Sequence, residues 1–294
     1  MKVSIIIINF NSGEYLKNCI NSIYQSTLSR GDFEVIIIDN NSSDLSIKTL
    51  SSFKENNISI FKNSQNLGFA KANNQGIKKA GGEYILLLNP DTILEKDTLR
   101  IVLDHMDKNK DVAVATPRID LSDGTLDDAC HRGFPTPINA LFYFSGIANI
   151  FPHNLFFNGY HLGFQNMNKV HEIDSCVGAF MMIRRSVGDK IGWLDQDYFW
   201  YGEDIDFCYR VKENGYKVVY LPSTKITHFK GISSGIKNHS KELSTASSET
   251  KKLATKARFD VMRLFYKKHY LNKYSKLITD LVFLGINLKE KLSS

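Results

Sequence analysis

The stretch 83-EYILLLNPD-91 decides how this chain is read. Its apolar run is short and closed by a turn dipeptide, which predicts a buried strand. Asn89-Pro90-Asp91 then presents a carboxylate just past the C-terminal end of that strand, ahead of a helix-type stretch. Open α/β sheets bind their ligands at this position. A carboxylate there can hold a divalent cation against a diphosphate, because hard cations prefer carboxylate and phosphate oxygen. Asn, Pro and Asp also favour turns, so the tripeptide alone is equally compatible with a plain Pro-Asp turn.

Toward the N-terminus, 3-VSIIIINFN-11 carries a β-branched run, Val3 to Ile8, that predicts a buried parallel strand. Leu16, Cys19, Ile20, Ile23 and Tyr24 recur at helical spacing, and Asn11 with Glu14 suits a capping box. A second strand, 33-FEVIIID-39, ends on Asp39 and runs into 40-NNSSD-44. Strand, helix, strand predicts a βαβ unit and an α/β fold. The first turn, Asn9-Phe10-Asn11-Ser12-Gly13, has neither G-x-G-x-x-G nor a Walker lysine. A nucleotide here would therefore not be gripped by a glycine-lined phosphate loop. Asp39 can accept hydrogen bonds from a base or ribose, or else cap a helix after Asn40. A third strand, 58-ISIFK-62, leads to a helix predicted over 68–80. Asn66 and Asn73 carry amides able to contact a nucleotide or its diphosphate. Gly68, Ala70, Ala72 and Gly76 allow that helix a close approach to ligand or sheet.

Toward the C-terminus, 174-DSCVGAFMMIRR-185 predicts a strand with a small-residue turn at Gly178-Ala179. Glu203 and Asp204 open a helix that stops at Asn214-Gly215, and 216-YKVVYLP-222 predicts the next strand. Carboxylates at a helix start complement its dipole, which is the structural explanation for Glu203, Asp204 and Asp206. His228 follows in 226-ITHFKGISS-234.

The order S-I-I-I-I-N-F-N, V-I-I-I-D-N-N-S-S-D, N-L-G-F-A-K-A-N-N-Q-G, L-L-L-N-P-D resembles the inverting family 2 glycosyltransferases, and among them the bacterial rhamnosyltransferase-like branch. The resemblance covers roughly residues 3 to 235, and the ordered set of motifs is specific where any single one is not. It implies a nucleotide-sugar-binding mixed sheet flanked by helices, of GT-A type. It implies transfer of a sugar, such as the deoxyhexose rhamnose, from a nucleoside diphosphate to a glycan or lipid-linked glycan during cell-wall or lipopolysaccharide synthesis. It places the general base at the Glu-Asp pair, with Asp204 as the base and Glu203 beside it. It matches Asp91 to the metal motif, usually Asp-x-Asp, with Asn89 standing in the first position here. The H-x-x-G-x-S spacing matches an element whose histidine, here His228, joins the metal shell. The implied cofactor is a divalent metal, Mn or Mg. Asn9, Asn11, Asp39, Asn66, Asn73, Asn89 and Asp91 are then the candidate nucleotide-sugar contacts. A hexosyltransferase of this kind needs no protein nucleophile: the acceptor hydroxyl attacks the anomeric carbon while one carboxylate takes its proton. A non-catalytic nucleotide-sugar-binding or scaffold protein of the same fold is the alternative. A nucleotidyltransferase should show a glycine-rich basic loop, and this chain has none.

The chain has 294 residues, 43% of them hydrophobic, enough for one large domain plus an appendage. We expect a catalytic domain over 1–240, with a nucleotide-sugar-binding half at 1–117 and an acceptor half at 118–240, then a basic helical extension over 241–294. Cys19, Cys130, Cys176 and Cys208 show no C-x-x-C spacing, which suits a reducing compartment. The N-terminal apolar run is a six-residue strand and not a signal peptide, and 138-INALFYFSGIANIF-151 is too short and interrupted to span a bilayer. The expected location is the cytoplasm or the inner face of the cell membrane. The net charge of +6 is unevenly placed: residues 241–294 hold 12 Lys plus Arg against 5 Asp plus Glu. This tail reads as helices, with Phe259, Met262, Phe265 and Tyr266 on one stripe. It is either a packed structural cap or an attachment to anionic membrane. Nucleic acid is not an expected partner, since no recognised motif accompanies the charge. Residues 118–172, rich in aromatics, fit either an acceptor wall, where sugar faces stack on rings, or a hydrophobic flap.

Overall fold

Three apolar strands run side by side at the heart of the molecule because their sequences leave no polar face. The structure, a computed structural model, describes residues 1–53, 55–229 and 248–293. Gly231 and Ser233 of the histidine motif, and residues 241–247 of the basic tail, lie outside the described residues. β1 (Val3–Asn9) is buried along its whole length, as a strand covered by helices on both faces must be. α1 (Glu14–Tyr24) returns the chain to β2 (Phe33–Asp39), which pairs parallel to β1 with Asn9 opposite Asp39. β3 (Ile58–Lys62) extends the sheet outward, and α2 (Phe69–Ile77) crosses back to β4 (Tyr84–Leu88) on the other side of β1. The crossover has to be tight. A Cβ on Gly76 would sit 2.6 Å from Ile6 Cγ2, so only glycine lets α2 lie on the sheet here.

The second part of the chain enters the same sheet. β5 (Thr92–Leu94) follows the Asn-Pro-Asp turn, then α3 (Thr98–Lys108) leads to β6 (Val112–Leu121). After α4 (Pro137–Ser145) and α5 (Ile147–Ile150) come β7 (His171–Ile173), β8 (Phe180–Arg184) and α6 (Arg185–Ile191). α7 (Glu203–Glu213) and the long β9 (Lys217–His228) complete it. The strand order is β3-β2-β1-β4-β8-β6-β9-β5, with β7 also on β9. β8 pairs antiparallel with both β4 and β6, so the sheet is mixed, as expected. β6 runs across position 117, so the two expected halves share one sheet and one core.

α8 (Ser248–His269) and α9 (Lys276–Ser293) close the described chain. Phe265 and Tyr266 of α8 and Tyr270 just after it cluster with Tyr209 of α7, and Val282 and Phe283 of α9 pack against that cluster.

Three local expectations change. α1 starts after Gly13 with no side-chain cap, because Asn11 takes a left-handed conformation (φ 53°) and its amide oxygen accepts from the Ser43 and Asp44 backbone N–H groups instead. The short β5 separates Asn-Pro-Asp from the helix expected directly after it. Within 174–185 only Phe180–Arg184 is strand, since the small-residue turn bends the chain before it.

Candidate active site

The ends of β1, β2 and β4 open into a hollow of about 1950 Å³, whose far walls come from the 125–161 segment, α7 and the C-terminal helices. Asn89 and Asp91 lie on its floor and Glu203 and Asp204 on its wall, while His228 completes the floor at the end of β9.

The metal-motif side is built by strand pairing. Thr92 on β5 lies opposite His228 on β9, and the Phe229 N–H donates to the Asp91 carbonyl at 2.9 Å. Thr92 Oγ1 donates to the Asn89 carbonyl at 2.8 Å and fixes the Asn-Pro-Asp turn. These contacts set His228 Nε2 3.3 Å from Asp91 Oδ1 and 3.4 Å from Asn89 Nδ2. The other ring nitrogen, Nδ1, lies 3.3 Å from Asp127 Oδ2. Burial alone would lower the pKa of this imidazole, but the two carboxylates outweigh it and hold it at about 9. Asp127 is itself buried, and its carboxylate caps the following turn by accepting from the Ala129 N–H.

This arrangement fits a divalent ion. Asp91 supplies a hard oxygen, His228 Nε2 an imidazole nitrogen, and Asp127 would fix the ring through Nδ1–H, the usual partner of a metal-binding histidine. Among the described residues no cluster of three or more His, Cys, Asp or Glu side chains is set to hold a metal by itself. Protein ligands alone would leave the shell incomplete, so a diphosphate would have to supply the rest.

The base side is built by a helix start. Gly202 adopts a left-handed conformation (φ 88°) that turns the chain into α7 and points Glu203 and Asp204 at the hollow. Arg132 Nη2 donates to Asp204 Oδ2 at 2.9 Å and to the Cys176 carbonyl at 3.2 Å. Burial and the adjacent Asp204 push Glu203 up to about 8, so Glu203 is protonated at neutral pH. The two neighbouring carboxyls thus stand in different surroundings, Asp204 against the Arg132 guanidinium and Glu203 without it, the usual mark of separated acid and base roles. Asp206, two residues on, is 1% exposed and held by Arg210 Nε at 2.9 Å and His269 Nε2 at 2.7 Å. It faces away from the hollow and serves the docking of α8.

The strand-end loops hold the remaining candidates. Asn66 lines the hollow; its amide oxygen accepts from Asn40 Nδ2 at 2.7 Å and from the Gly68 N–H at 2.9 Å. Asn9, Asn11, Asp39 and Asn73 stand behind the lining. Asn9 Nδ2 reaches Asp39 Oδ1 and Ser42 Oγ, both at 2.9 Å, and braces the loop after β2. Asn11 ties β1 to that same loop, and Asn73 Nδ2 donates to the Phe69 carbonyl within α2. Asn40, Asp127 and Arg132 enter the site without having been singled out in the sequence. Asn40 follows directly on Asp39 and was visible. Asp127 and Arg132 gave no signal, because their partners are 101 and 72 residues distant.

The aromatic insert contributes to the lining of the hollow. Tyr143, Tyr160 and His161 line the hollow opposite the strand ends, with ring centroids of Tyr143 and Tyr160 5.2 Å apart.

Known proteins resemble this chain in sequence and in fold. The profile for "Glycosyl transferase family 2" matches residues 4–192, and one for "N-terminal domain of galactosyltransferase" matches residues 158–233. The low-salt glycan biosynthesis hexosyltransferase Agl10 of Haloferax volcanii is 29% identical over 223 residues, 74% of this chain but only 63% of that protein. Rhamnosyltransferase WbbL of Escherichia coli K12 is 25% identical over 77% of this chain and 83% of its own length. The N-acetylglucosaminyl-diphospho-decaprenol L-rhamnosyltransferase of Mycobacterium tuberculosis is 22% identical over 79% of this chain and 77% of its own. Among solved structures, Staphylococcus aureus TarS 1-349 superposes with a TM-score of 0.60 at 16% identity, covering all of this chain and 72% of that one. GalNAc-T7 with UDP, GalNAc and Mn2+ gives 0.59 at 15% identity, covering 78% of this chain and 44% of that one. These two share the GT-A fold. With its family profile matched over most of the chain, this protein belongs to glycosyl transferase family 2.

Proposed function

We propose that this protein is an inverting, metal-dependent hexosyltransferase that moves a deoxyhexose such as rhamnose from a nucleoside diphosphate to a growing cell-surface glycan. The observation that carries the reading is the pairing of Asp204, held by Arg132 in an orientation open to the hollow, with the Asp91–His228 pair on the floor of that hollow. The donor nucleotide lies across the strand ends beside Asn40, Asn66 and Asn89, which line the hollow there. A divalent ion held by Asp91 and His228 would neutralise charge on the diphosphate as it leaves. The acceptor lies against Tyr143 and Tyr160. Its hydroxyl oxygen bonds to the anomeric carbon, the bond from that carbon to the diphosphate oxygen breaks, and the proton passes to Asp204. Protonated Glu203 beside it donates a hydrogen bond and orients the acceptor. Rhamnose is favoured because two of the relatives are rhamnosyltransferases by name, one acting on a diphospho-decaprenol acceptor.

The test is a panel of nucleotide sugars incubated with manganese or magnesium and with polyprenyl-diphosphate-linked acceptors. Turnover of a deoxyhexose donor is expected. Asp204→Asn keeps shape and loses the proton acceptor, so donor affinity should hold while single-turnover transfer falls by roughly a hundredfold or more. Binding of donors with no turnover by wild type would favour the non-catalytic alternative. Near-normal transfer by Asp204→Asn would remove it as the base.

A further inference from the structure

α9 has two apolar faces. Thr279, Val282, Phe283 and Ile286 turn inward, where Val282 and Phe283 pack on the tyrosine cluster of α7 and α8. At about 100° per residue, Leu277, Leu281, Leu284, Leu288 and Leu292 fall within one stripe on the opposite side. All five are exposed, Leu277 at 71% and Leu292 at 85%. An ordinary surface helix is polar on that side.

A second apolar patch lies across the hollow. Ile138, Leu141 and Phe144 of α4 are exposed and line the hollow, as do Leu281, Leu288 and Leu292 of α9. The ammonium of Lys289 sits 5.7 Å from the ring centre of Phe144, so the two helices flank one opening. Beyond α4 the patch continues through Ile150, Phe151, Leu155 and Phe156, with Ile150 at 70% and Leu155 at 69% exposed. Isolated exposed leucines need no explanation, but a contiguous patch of this kind marks an interaction surface.

Charge identifies the occupant. On the same helical spacing Lys289 and Lys291 border the two sides of the leucine stripe, as lysines flanking an interfacial helix do when their stems run along apolar surface. Of the neighbouring carboxylates, Glu290 is paired with Arg263, and exposed Asp280 lies on the Lys291 edge with Lys276 one turn before it. Residues 248–293 as a whole hold 11 Lys plus Arg against 4 Asp plus Glu. Among the described residues no helix is long and apolar enough to cross a membrane. A helix with a leucine stripe, lysine borders and this length lies in the plane of a bilayer surface.

We infer that α4, α5 and the outer face of α9 form a single membrane-docking surface for an anionic bilayer, with the catalytic hollow opening at its centre. The basic segment supplies long-range attraction to acidic headgroups, and the leucine and phenylalanine side chains enter the headgroup–acyl boundary.

The experiment uses the full chain and needs no sugar donor. Co-sedimentation is measured with vesicles of phosphatidylcholine alone and of phosphatidylcholine with phosphatidylglycerol, at low and high salt. Binding is expected to the anionic vesicles and to weaken with salt. Two double variants, Leu277→Asp with Leu284→Asp and Ile150→Asp with Leu155→Asp, change exposed residues outside the hollow lining. Each should lower vesicle affinity by about a hundredfold or more, the scale of two lost aliphatic side-chain burials, with an unchanged melting temperature. Wild-type protein that ignores anionic vesicles overturns the inference, and so do variants that bind as well as wild type. A wild-type dimer in solution that the α9 double variant splits also overturns it, since a second copy would then cover the stripe.

Discussion

The charge states of two side chains, Glu203 and His228, decide how this site responds to pH. Glu203 ionises near 4.5 in an unfolded chain and near 8 in the folded protein. Between those values the unfolded chain releases a proton that the folded protein retains, so stability falls as pH rises through this window and levels off above it. Gln cannot ionise. The melting temperature of Glu203→Gln should therefore climb relative to wild type by at least about 5 °C from about pH 5 to about pH 8. A difference that stays flat over that range would show that Glu203 is ionised in the folded state. His228 runs in the opposite direction for ligand binding. Its proton is held to about pH 9 by Asp91 and Asp127, and a metal ion on Nε2 has to displace it. Manganese affinity, followed by calorimetry in the presence of nucleoside diphosphate, should rise about tenfold per pH unit between neutrality and that value. It should lose this slope in His228→Ala. A pH-independent affinity in wild type would take His228 out of the shell. Of these residues the sequence revealed the carboxylates and the histidine through local motifs. It could not reveal Asp127 or Arg132, because each acts through a partner brought near only by the sheet.

At the level of elements, what was legible follows from where the information is local. β1, β2 and β4 were readable because a strand buried on both faces is apolar throughout, and α7 because acids open it and Asn214-Gly215 closes it. The capping box at Asn11 was misread because a side chain that can cap a helix can equally bridge to a neighbouring loop, and the loop after β2 lies within reach only in the fold. The antiparallel insertion of β8 between β4 and β6 depends on long-range pairing that no local pattern encodes. One short joint couples these elements to the base. Gly202 holds φ 88°, and a Cβ there would lie 2.4 Å from Val261 Cγ1 of α8 and 3.1 Å from Tyr198. Gly202→Ala therefore combines a strained left-handed alanine with a clash against α8. We expect a loss of about 2 to 4 kcal/mol in denaturant unfolding. Transfer should fall more than donor binding, since the start of α7 carries Asp204 and the donor side does not. A stable variant with normal transfer would mean that α8 yields freely at this contact.

For the molecule as a whole, the question is whether the basic C-terminal helices are an appendage or part of the catalytic unit. Sequence alone left a packed cap and a membrane attachment open, and the two faces of α9 give each of them a separate surface. The inner surface is bound to the catalytic domain by three kinds of contact. Phe265, Tyr266 and Tyr270 bury Tyr209 of α7. His269 meets the buried Asp206 at 2.7 Å. Lys268 bridges Asp195 and Asp197, at 2.5 and 2.6 Å, on the segment leading into α7. Removing residues 248–294 would expose Tyr209, Ile205 and Phe134 and would strip one partner from a buried carboxylate. At about 1.5 to 3 kcal/mol for each large apolar side chain returned to water, the catalytic domain should lose several kcal/mol of stability. The loss should not be uniform. The donor side rests on β1, β2 and β4, which the C-terminal helices do not touch through that cluster, so nucleotide-sugar affinity should change by less than about threefold where the truncated protein is still folded. Transfer depends on α7 holding Asp204 against Arg132, and it should drop by about tenfold or more. Thermal unfolding, donor calorimetry and single-turnover transfer on the truncated and full chains make the comparison. A truncated protein that melts with the full chain and transfers at its rate would show a dispensable appendage, with α7 held in place by the sheet alone.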